Sequence, residues 1–495
     1  MNRMYLQDLV KGKYGRKIAY TDVDEINENN ILNVLADCIG VFNSNRPIIR
    51  YLWDYKNGDQ PILYRTKVVR DDIVNKVVEN HAWEIVQFKN AQTNGEPILC
   101  VSLSKDDNVN KMVDKLNNYL RVANKHVKDI SSGEWTSAVG TGFKAVQRTR
   151  KSDKPIRFVV PTPMNTFIIY NRATEEPMLA VQELKDEKNE QYYLCFSETH
   201  EYRVKNGSLM HLEKDVKSRS HAFGGIPIVE YPNNQSRISD IELVITMLDA
   251  INTMQSNRMD GIEQFIQAWV KFVNCEVDEK SFLSMKMLGA LVVKSNNGDG
   301  NKADVDVMSQ ELDQTQSQVA KDDLWNNVLS ISAIPNKQGN TGGDTQGAVE
   351  LRNGWDFSKQ RAKLKDPYII EAERRLMEVA LNIIRIQNGN DDCPLSVLDF
   401  DIQISHSPTD NMQVKAQVLQ LLLSSGIHPL VAIKVCGLWS DPEKVFLLSK
   451  PYLDVLHKTI DDVIKEQNLQ SQLDEANKII EQFNNNQQKQ AVTEE

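Results

Sequence analysis

The hydrophobic rhythm of the chain changes at Ser239, and that change constrains the fold more than any other feature. Ser239-Asp-Ile-Glu242 has the form of a capping box, in which a hydroxyl and a carboxyl three residues apart serve each other's backbone N–H groups. From there Ile241, Val244, Ile245, Leu248, Ile251, Met254, Ile262 and Phe265 recur at three- and four-residue steps, which predicts one helix over 239–265. At 1.5 Å per residue that helix is ~40 Å long. A second, more polar helix is predicted over 311–332. Between them, Trp269-Val-Lys-Phe-Val273 reads as strand, 278–287 as helix and Ala290-Leu-Val-Val293 as strand. The turn Asn296-Asn-Gly-Asp-Gly-Asn301 then leads to Asp304-Val-Asp-Val307. Two long helices joined through a β-rich tip describe a stalk that carries a head.

The residues before Ser239 alternate short strand patterns with a few helices. Ile62-Leu-Tyr and Lys67-Val-Val read as strand fragments, and 108–126 as a helix with Met112, Leu116 and Leu120 on one face. Strand-like runs follow at 156–160, 166–170, 178–182, 191–196 and 201–204, each closed by polar or turn residues. Spacing of roughly ten residues predicts an antiparallel meander in an α+β domain. Gly224-Gly225 reads as a turn into a strand at 226–231. After the second long helix, Ile334-Pro335 stops the pattern and a glycine-rich loop follows. A helix then starts near Gln346 and passes Leu381, with a kink expected after Asp366 because Pro367 lies inside it. Helices are predicted over 410–425 and 429–435, and Leu456, Ile460, Val463, Ile464, Leu473, Ile479, Ile480 and Phe483 form a last stripe. The Asn/Gln-rich end, 484–495, reads as a disordered tail.

Chemistry has little foothold. The six cysteines are scattered without a CxxC pair, and neither His81 nor His406 has a second histidine or a cysteine near enough in sequence to complete a metal set. The glycine-rich segment 338–347 lacks the Gly-Lys-Ser/Thr ending of a phosphate loop, and no GxSxG elbow is present. Asp322-Asp323 and Asp391-Asp392 are adjacent in sequence, so on a helix they diverge by about 100° and cannot act as a facing dyad. No catalytic, cofactor or metal site is expected. A formal net charge of -10 excludes a grip on nucleic acid through overall charge. No apolar run approaches a membrane span, and residues 1–16 carry no apolar signal core, so a cytosolic setting without membrane contact is expected.

Three patterns carry a family resemblance: Met164-Asn-Thr-Phe-Ile-Ile-Tyr-Asn171; Phe223-Gly-Gly-Ile-Pro-Ile-Val-Glu-Tyr-Pro-Asn-Asn234, continuing through Ser239-Asp-Ile-Glu-Leu-Val-Ile-Thr-Met-Leu-Asp-Ala250; and Gly339-Asn-Thr-Gly-Gly-Asp-Thr-Gln-Gly-Ala-Val-Glu350. With the order of parts over residues 40–465, they resemble the portal (connector) proteins of tailed bacteriophages, in the branch of long-tailed phages of Gram-positive hosts. The resemblance implies an α+β portal fold. Its parts are a wing over 1–238, stem helices at 239–265 and 311–332, and a clip at 266–310. A tunnel loop at 333–347, a kinked long helix with wing return at 348–409 and a helical crown at 410–483 complete it. It further implies a twelve-subunit ring at one capsid vertex of the virion, assembled in the host cytoplasm, through which double-stranded DNA is packaged and ejected. Implied partners are the terminase large subunit, which supplies the ATPase, the head-completion adaptor, and the major capsid and scaffold proteins.

Carried onto this chain, Asn340, Thr341, Asp344, Thr345 and Gln346 are expected to face DNA as a loop collar. Residues 340–343 hold no large hydrophobic side chain, which argues against a piston role. Asn296, Asn297, Asp299, Asn301 and Lys302 are expected to form the clip's docking turn. Asp240, Glu242, Asp249, Asp260 and Glu263 against Arg258, and Glu311, Asp313, Asp322 and Asp323 against Lys321, make both long helices acidic. In a ring such walls would repel phosphate and keep DNA moving. The run Lys359, Arg361, Lys363 and Lys365 is a candidate DNA contact. The rival reading, an elongated coiled-coil interaction protein, has only the last stripe in its favour.

Overall fold

The strands between Ala138 and Ser239 pair into two sheets rather than one. The computed structural model describes residues 14–68, 71–104, 106–212, 216–266, 269–273, 304–308, 314–336, 354–406, 412–439 and 442–456. It divides into two compact units, 1–408 and 409–495. The first unit begins with β1 (Ala19–Thr21) and the long helix α1 (Ile31–Lys56). It continues through a 3-10 turn (Pro61–Tyr64), α2 (His81–Asn94), β2 (Leu99–Ser102), α3 (Asp107–Val122) and α4 (Lys125–Val139). Next come β3 (Thr141–Arg148), β4 (Ile156–Val159), β5 (Thr166–Asn171), β6 (Pro177–Lys185), β7 (Gln191–Phe196), β8 (His200–Lys205), β9 (Ser208–Leu209), β10 (Ser218–Ser220) and β11 (Ile228–Pro232). Then follow α5 (Ile245–Ile266), β12 (Trp269–Val273), β13 (Asp304–Met308) and α6 (Gln314–Ser332), and finally α7 (Trp355–Lys363), α8 (Asp366–Asn388) and β14 (Phe400–Gln403).

The expected meander forms from β5 to β8, all antiparallel, with β1 parallel to β5 on one side and β9 and β10 on β8. Strand β4 is not part of it. It joins β3 and β11 in a second sheet, because β3 is buried over most of its length and takes a partner on each edge. Helix α1 covers the first sheet with Ile31, Val34, Leu35, Cys38 and Phe42, which pack on Phe167, Ile169, Leu179 and Val204. Helices α3 and α8 cover the second through Leu116, Leu120, Leu376, Ile383 and Ile384 against Val146 and Phe158. A third core joins the far end of α1 with α2, α4, α5 and α6: Leu52, Tyr55, Ile85, Val86, Ile245, Leu248, Ile251 and Val328.

Several boundaries depart from the sequence reading. Residues 61–64 turn in a 3-10 helix instead of forming a strand: Pro61 has no N–H for a ladder, and Leu63 and Arg65 donate back to the carbonyls of Gln60 and Ile62. The helix expected over 108–126 divides into α3 and α4 at Asn124, whose φ of 54° is left-handed. Pro367 does not kink one helix. It occupies the first turn of α8, where a missing N–H has no cost, and α7 ends separately at Lys363. The helix expected from 239 begins at Ile245, and 240–244 are turns. Strands β12 and β13 pair antiparallel, Trp269 opposite Met308 and Val273 opposite Asp304, as an insert between two long helices requires. The expected helix at 278–287, the strand at 290–293 and the glycine-rich loop from 337 lie outside the described residues.

In the second unit α9 (Met412–Ser424), α10 (Pro429–Cys436) and α11 (Pro442–Leu456) follow one another. Pro429 starts α10 as expected, with the His428 ring nitrogen accepting from Leu430 N–H at 3.3 Å, and Gly437 at φ 57° ends it. The stripe beyond Leu456 and the tail lie outside the described residues. The five described cysteines are free and buried, and no group of metal ligands occurs among the described residues. No described helix is long and apolar enough to cross a membrane.

Candidate functional site

Helices α5 and α6 pack against each other and flank the β12–β13 ribbon in sequence. The polar side of α5 is not free. Asn252, Ser256 and Asp260 stand four residues apart, and all three are buried. Each accepts a backbone N–H from the segment leading into α2: Glu79 onto Asn252 Oδ1 at 2.8 Å, Val77 onto Ser256 Oγ at 3.0 Å, Asn75 onto Asp260 Oδ1 at 2.7 Å. Four residues of helix rise ~6 Å and two residues of extended chain span ~6.6 Å, so the two spacings match. The α5 row thus supplies partners for N–H groups of a half-buried strap that has no ladder of its own.

Further groups tie the strap down. Asp260 also pairs with Lys67 and, at 3.1 Å, with Arg65. Burial pushes its carboxyl up, but Lys67 and the Asn75 donors outweigh that and hold it below its ordinary value. Asn75 Nδ2 reaches Glu263 at 2.9 Å. Lys321 of α6 closes on Glu79 at 2.5 Å, and Trp325 stacks on the His81 ring with centroids 3.9 Å apart. Arg258 donates across to Gln318 of α6 at 2.7 Å.

At the start of the pair the capping box forms on a turn ahead of the helix. Ser239 N–H donates to Glu242 at 2.6 Å and Ile241 N–H to the Ser239 hydroxyl at 3.2 Å, while that hydroxyl donates to the Ala138 carbonyl at 2.8 Å. Glu242 is wholly buried and pairs with Arg16, so the box docks the turn onto α4 and the segment before β1 instead of opening the helix. Asp240 receives the Ser137 hydroxyl at 2.6 Å and Lys365 Nζ at 2.9 and 2.8 Å on its two oxygens. Burial raises its pKa, Lys365 and Lys89 outweigh burial, and the carboxyl ends below the usual range.

The other end of α6 meets the same junction. Ala333, at φ 51°, closes the helix with Ile334 N–H on the Leu329 carbonyl at 2.9 Å and its own N–H on Ser330 at 3.1 Å. Its carbonyl accepts from the Ser358 hydroxyl of α7 at 2.7 Å and lies 3.5 Å from Lys89 Nζ. Burial lowers Lys89 to about 8 despite Asp240 beside it. Beneath lies a set of four buried charges, none more than 3% exposed. Lys125 pairs with Asp129 at 2.8 Å and Glu373 at 3.1 Å, Lys144 pairs with both acids, and the Tyr231 hydroxyl donates to Glu373 at 3.1 Å. These side chains come from α4, β3, β11 and α8, so the cluster locks the second sheet between helices.

The acidic-wall expectation therefore needs correction. Asp240, Glu242 and Asp260 are turned into the protein and neutralised by Lys365, Arg16 and Lys67, cations far away in sequence. Asp249 accepts from the buried Tyr55 hydroxyl at 2.9 Å, and Glu263 from Asn75. Asp322 and Asp323 are exposed on α6. Lys365 is committed to Asp240 instead of standing ready for DNA, whereas Arg361 and Lys363 are exposed and Lys359 half-buried. Glu311, Asp313, the loop residues Asn340, Thr341, Asp344, Thr345 and Gln346, and the turn residues Asn296, Asn297, Asp299, Asn301 and Lys302 lie outside the described residues. The buried Asn252, Ser256 and Asp260 row was the signal that sequence reasoning passed over.

The chain thus runs from a β-rich first part to two packed helices with a strand ribbon between them. The family described as phage portal protein, SPP1 Gp6-like, matches residues 35–445, and the chain belongs to that family. As a phage portal protein it contributes to the ring at one capsid vertex of the virion and to its channel for double-stranded DNA. The isolated coiled-coil reading does not survive that match. A search of curated proteins finds no match. Similar solved structures include the neck of an empty GTA particle computed with C6 symmetry, at TM-score 0.44 and 9% identity, covering 72% of this chain and 90% of that one. The virion of a native gene transfer agent (GTA) particle gives TM-score 0.44 and 10% identity over 79% and 93% of the two chains. The neck of a native GTA particle computed with C12 symmetry gives 0.42 and 10% over 72% and 89%.

Proposed function

We propose that this portal subunit works as a non-enzymatic conduit in a ring of twelve, with α5 and α6 as its stem, 266–310 as its clip and 333–347 as its tunnel loop. The observation that carries the reading is the α5–α6 pair running into an antiparallel ribbon within a chain whose residues 35–445 match the portal family. The strap and the junction ion pairs keep the stem's buried carboxylates neutralised, so the charge available to repel phosphate comes from exposed groups such as Asp322 and Asp323. ATP hydrolysis comes from the terminase large subunit, since no phosphate loop is present in the sequence. Terminase and the head-completion adaptor dock on the clip turn that carries Asn296, Asn297, Asp299, Asn301 and Lys302, while capsid and scaffold proteins hold the subunit in the shell.

Shortening the turn over 296–302 tests this directly. Rings should still assemble, and DNA packaging or tail joining should fall. Rings that fail to assemble would make the turn structural and overturn its docking role. Purified protein should show no ATP turnover that a point mutation in this chain abolishes.

A further inference from the structure

Residues 148–157 turn β3 into β4 and carry Arg148, Arg150, Lys151, Lys154 and Arg157 against the one acid Asp153, a balance of +4 in a chain of net charge -10. Four of these cations are exposed and Lys154 is half-buried. Elsewhere in the first unit cations such as Arg16, Lys67 and Lys365 close on carboxylates. Here none does so among the described residues: Arg148 donates to Gln387 at 2.7 Å and Arg157 to Gln147 at 2.9 Å, both neutral amides.

The tip is held in place. Thr149 N–H donates to the Pro155 carbonyl at 2.9 Å, and its hydroxyl donates to the Lys154 carbonyl. Asn388 Nδ2, at the end of α8, donates to the Ser152 carbonyl at 2.9 Å. Cations on an ordered support give up little entropy when they bind. The tip also offers no apolar anchor, because its apolar residues Pro155 and Ile156 are buried. Protein partners are gripped chiefly at apolar and aromatic hot spots, whereas a phosphate backbone asks only for clustered Arg and Lys.

We propose that the β3–β4 hairpin is a docking surface for the phosphate backbone of duplex DNA, separate from the α5–α6 pair and indifferent to sequence. The identity of the polyanion rests on the portal reading; the chemistry of the surface does not.

The test uses the full chain, a mixed-sequence duplex of about 30 base pairs, and the triple variant Arg150→Gln, Lys151→Gln, Lys154→Gln, with binding followed from low to high salt. The variant should bind at least ~10-fold more weakly near 0.1 M salt, and its log-log salt slope should fall by about 0.9 per lost phosphate contact. Melting temperature and particle shape should not change. Equal duplex affinity and slope in both proteins would overturn the proposal. So would loss of polyglutamate binding with DNA binding intact, which marks an acidic protein partner, or loss of rings, which marks a subunit contact. Hairpin-dependent DNA binding by a protein that forms no rings would support the hairpin and contradict the portal ring instead.

Discussion

Val77 gives its backbone N–H to the Ser256 hydroxyl at 3.0 Å, in the middle of a row that fastens an irregular segment along α5. Ser256 is wholly buried, so Ser256→Ala leaves that half-buried N–H facing a side chain that cannot accept. The expected cost is ~1–2 kcal/mol of stability, with faster hydrogen exchange at Val77 than at its neighbours. Denaturant unfolding and amide exchange of the variant measure both. An unchanged exchange rate at Val77 would mean that the strap is held by other contacts.

Asp240 and Lys365 lie 125 residues apart and join the turn ahead of α5 to the turn between α7 and α8. Asp240, Asp260 and Glu373 all have carboxyls held below their ordinary values. Groups depressed in this way add stability that is complete above the ordinary carboxylate range and lost as pH falls through the folded values. Stability should therefore fall steeply from about pH 4 downward. Asp240→Asn should lower stability at neutral pH by about 2 kcal/mol, less than for a fully buried pair because Lys365 is 20% exposed, and flatten the acid limb. Equal acid limbs in both proteins would contradict the assignment.

The four-charge cluster is more exacting. Glu373→Gln removes the acid that Lys125 and Lys144 share, leaving two buried ammonium groups on Asp129 alone. About 3–5 kcal/mol should be lost, enough to lower soluble yield. Thermal melting of Glu373→Gln beside Glu371→Gln, whose side chain is 63% exposed, provides the comparison. Similar melting points would show that the cluster contributes no more than a surface pair.

Much of this architecture was legible because periodicity reports burial. The stripe from Ile241 to Ile262 announced α5, and alternating runs announced β5 to β8. Helix α1 was not anticipated. Its stripe turns from the first sheet, through Phe42, to the α2–α4 core, through Leu52 and Tyr55, and Pro47 interrupts the pattern between them. The candidate site was misread for a related reason. Polar residues at helical spacing look like a wetted face, yet Asn252, Ser256 and Asp260 are buried under a strap supplied from residues 75–79. Charge counting along α5 likewise could not see Arg16, Lys67 or Lys365, because partners that distant are set only by the tertiary fold.

Residues 339–347 of the proposed tunnel loop carry one acid among short uncharged side chains, so they should touch DNA without holding it. Asp344→Lys adds a cation to every subunit. DNA retention should rise in a salt-sensitive way and packaging should slow. Packaging and retention that stay the same at low and high salt would place the loop away from the channel.

The ring is the central claim, and negative-stain imaging of the purified full chain tests it most directly. Closed rings with a central hole are predicted, of twelve subunits in the virion. Extended single chains or open filaments without a central hole would contradict the account.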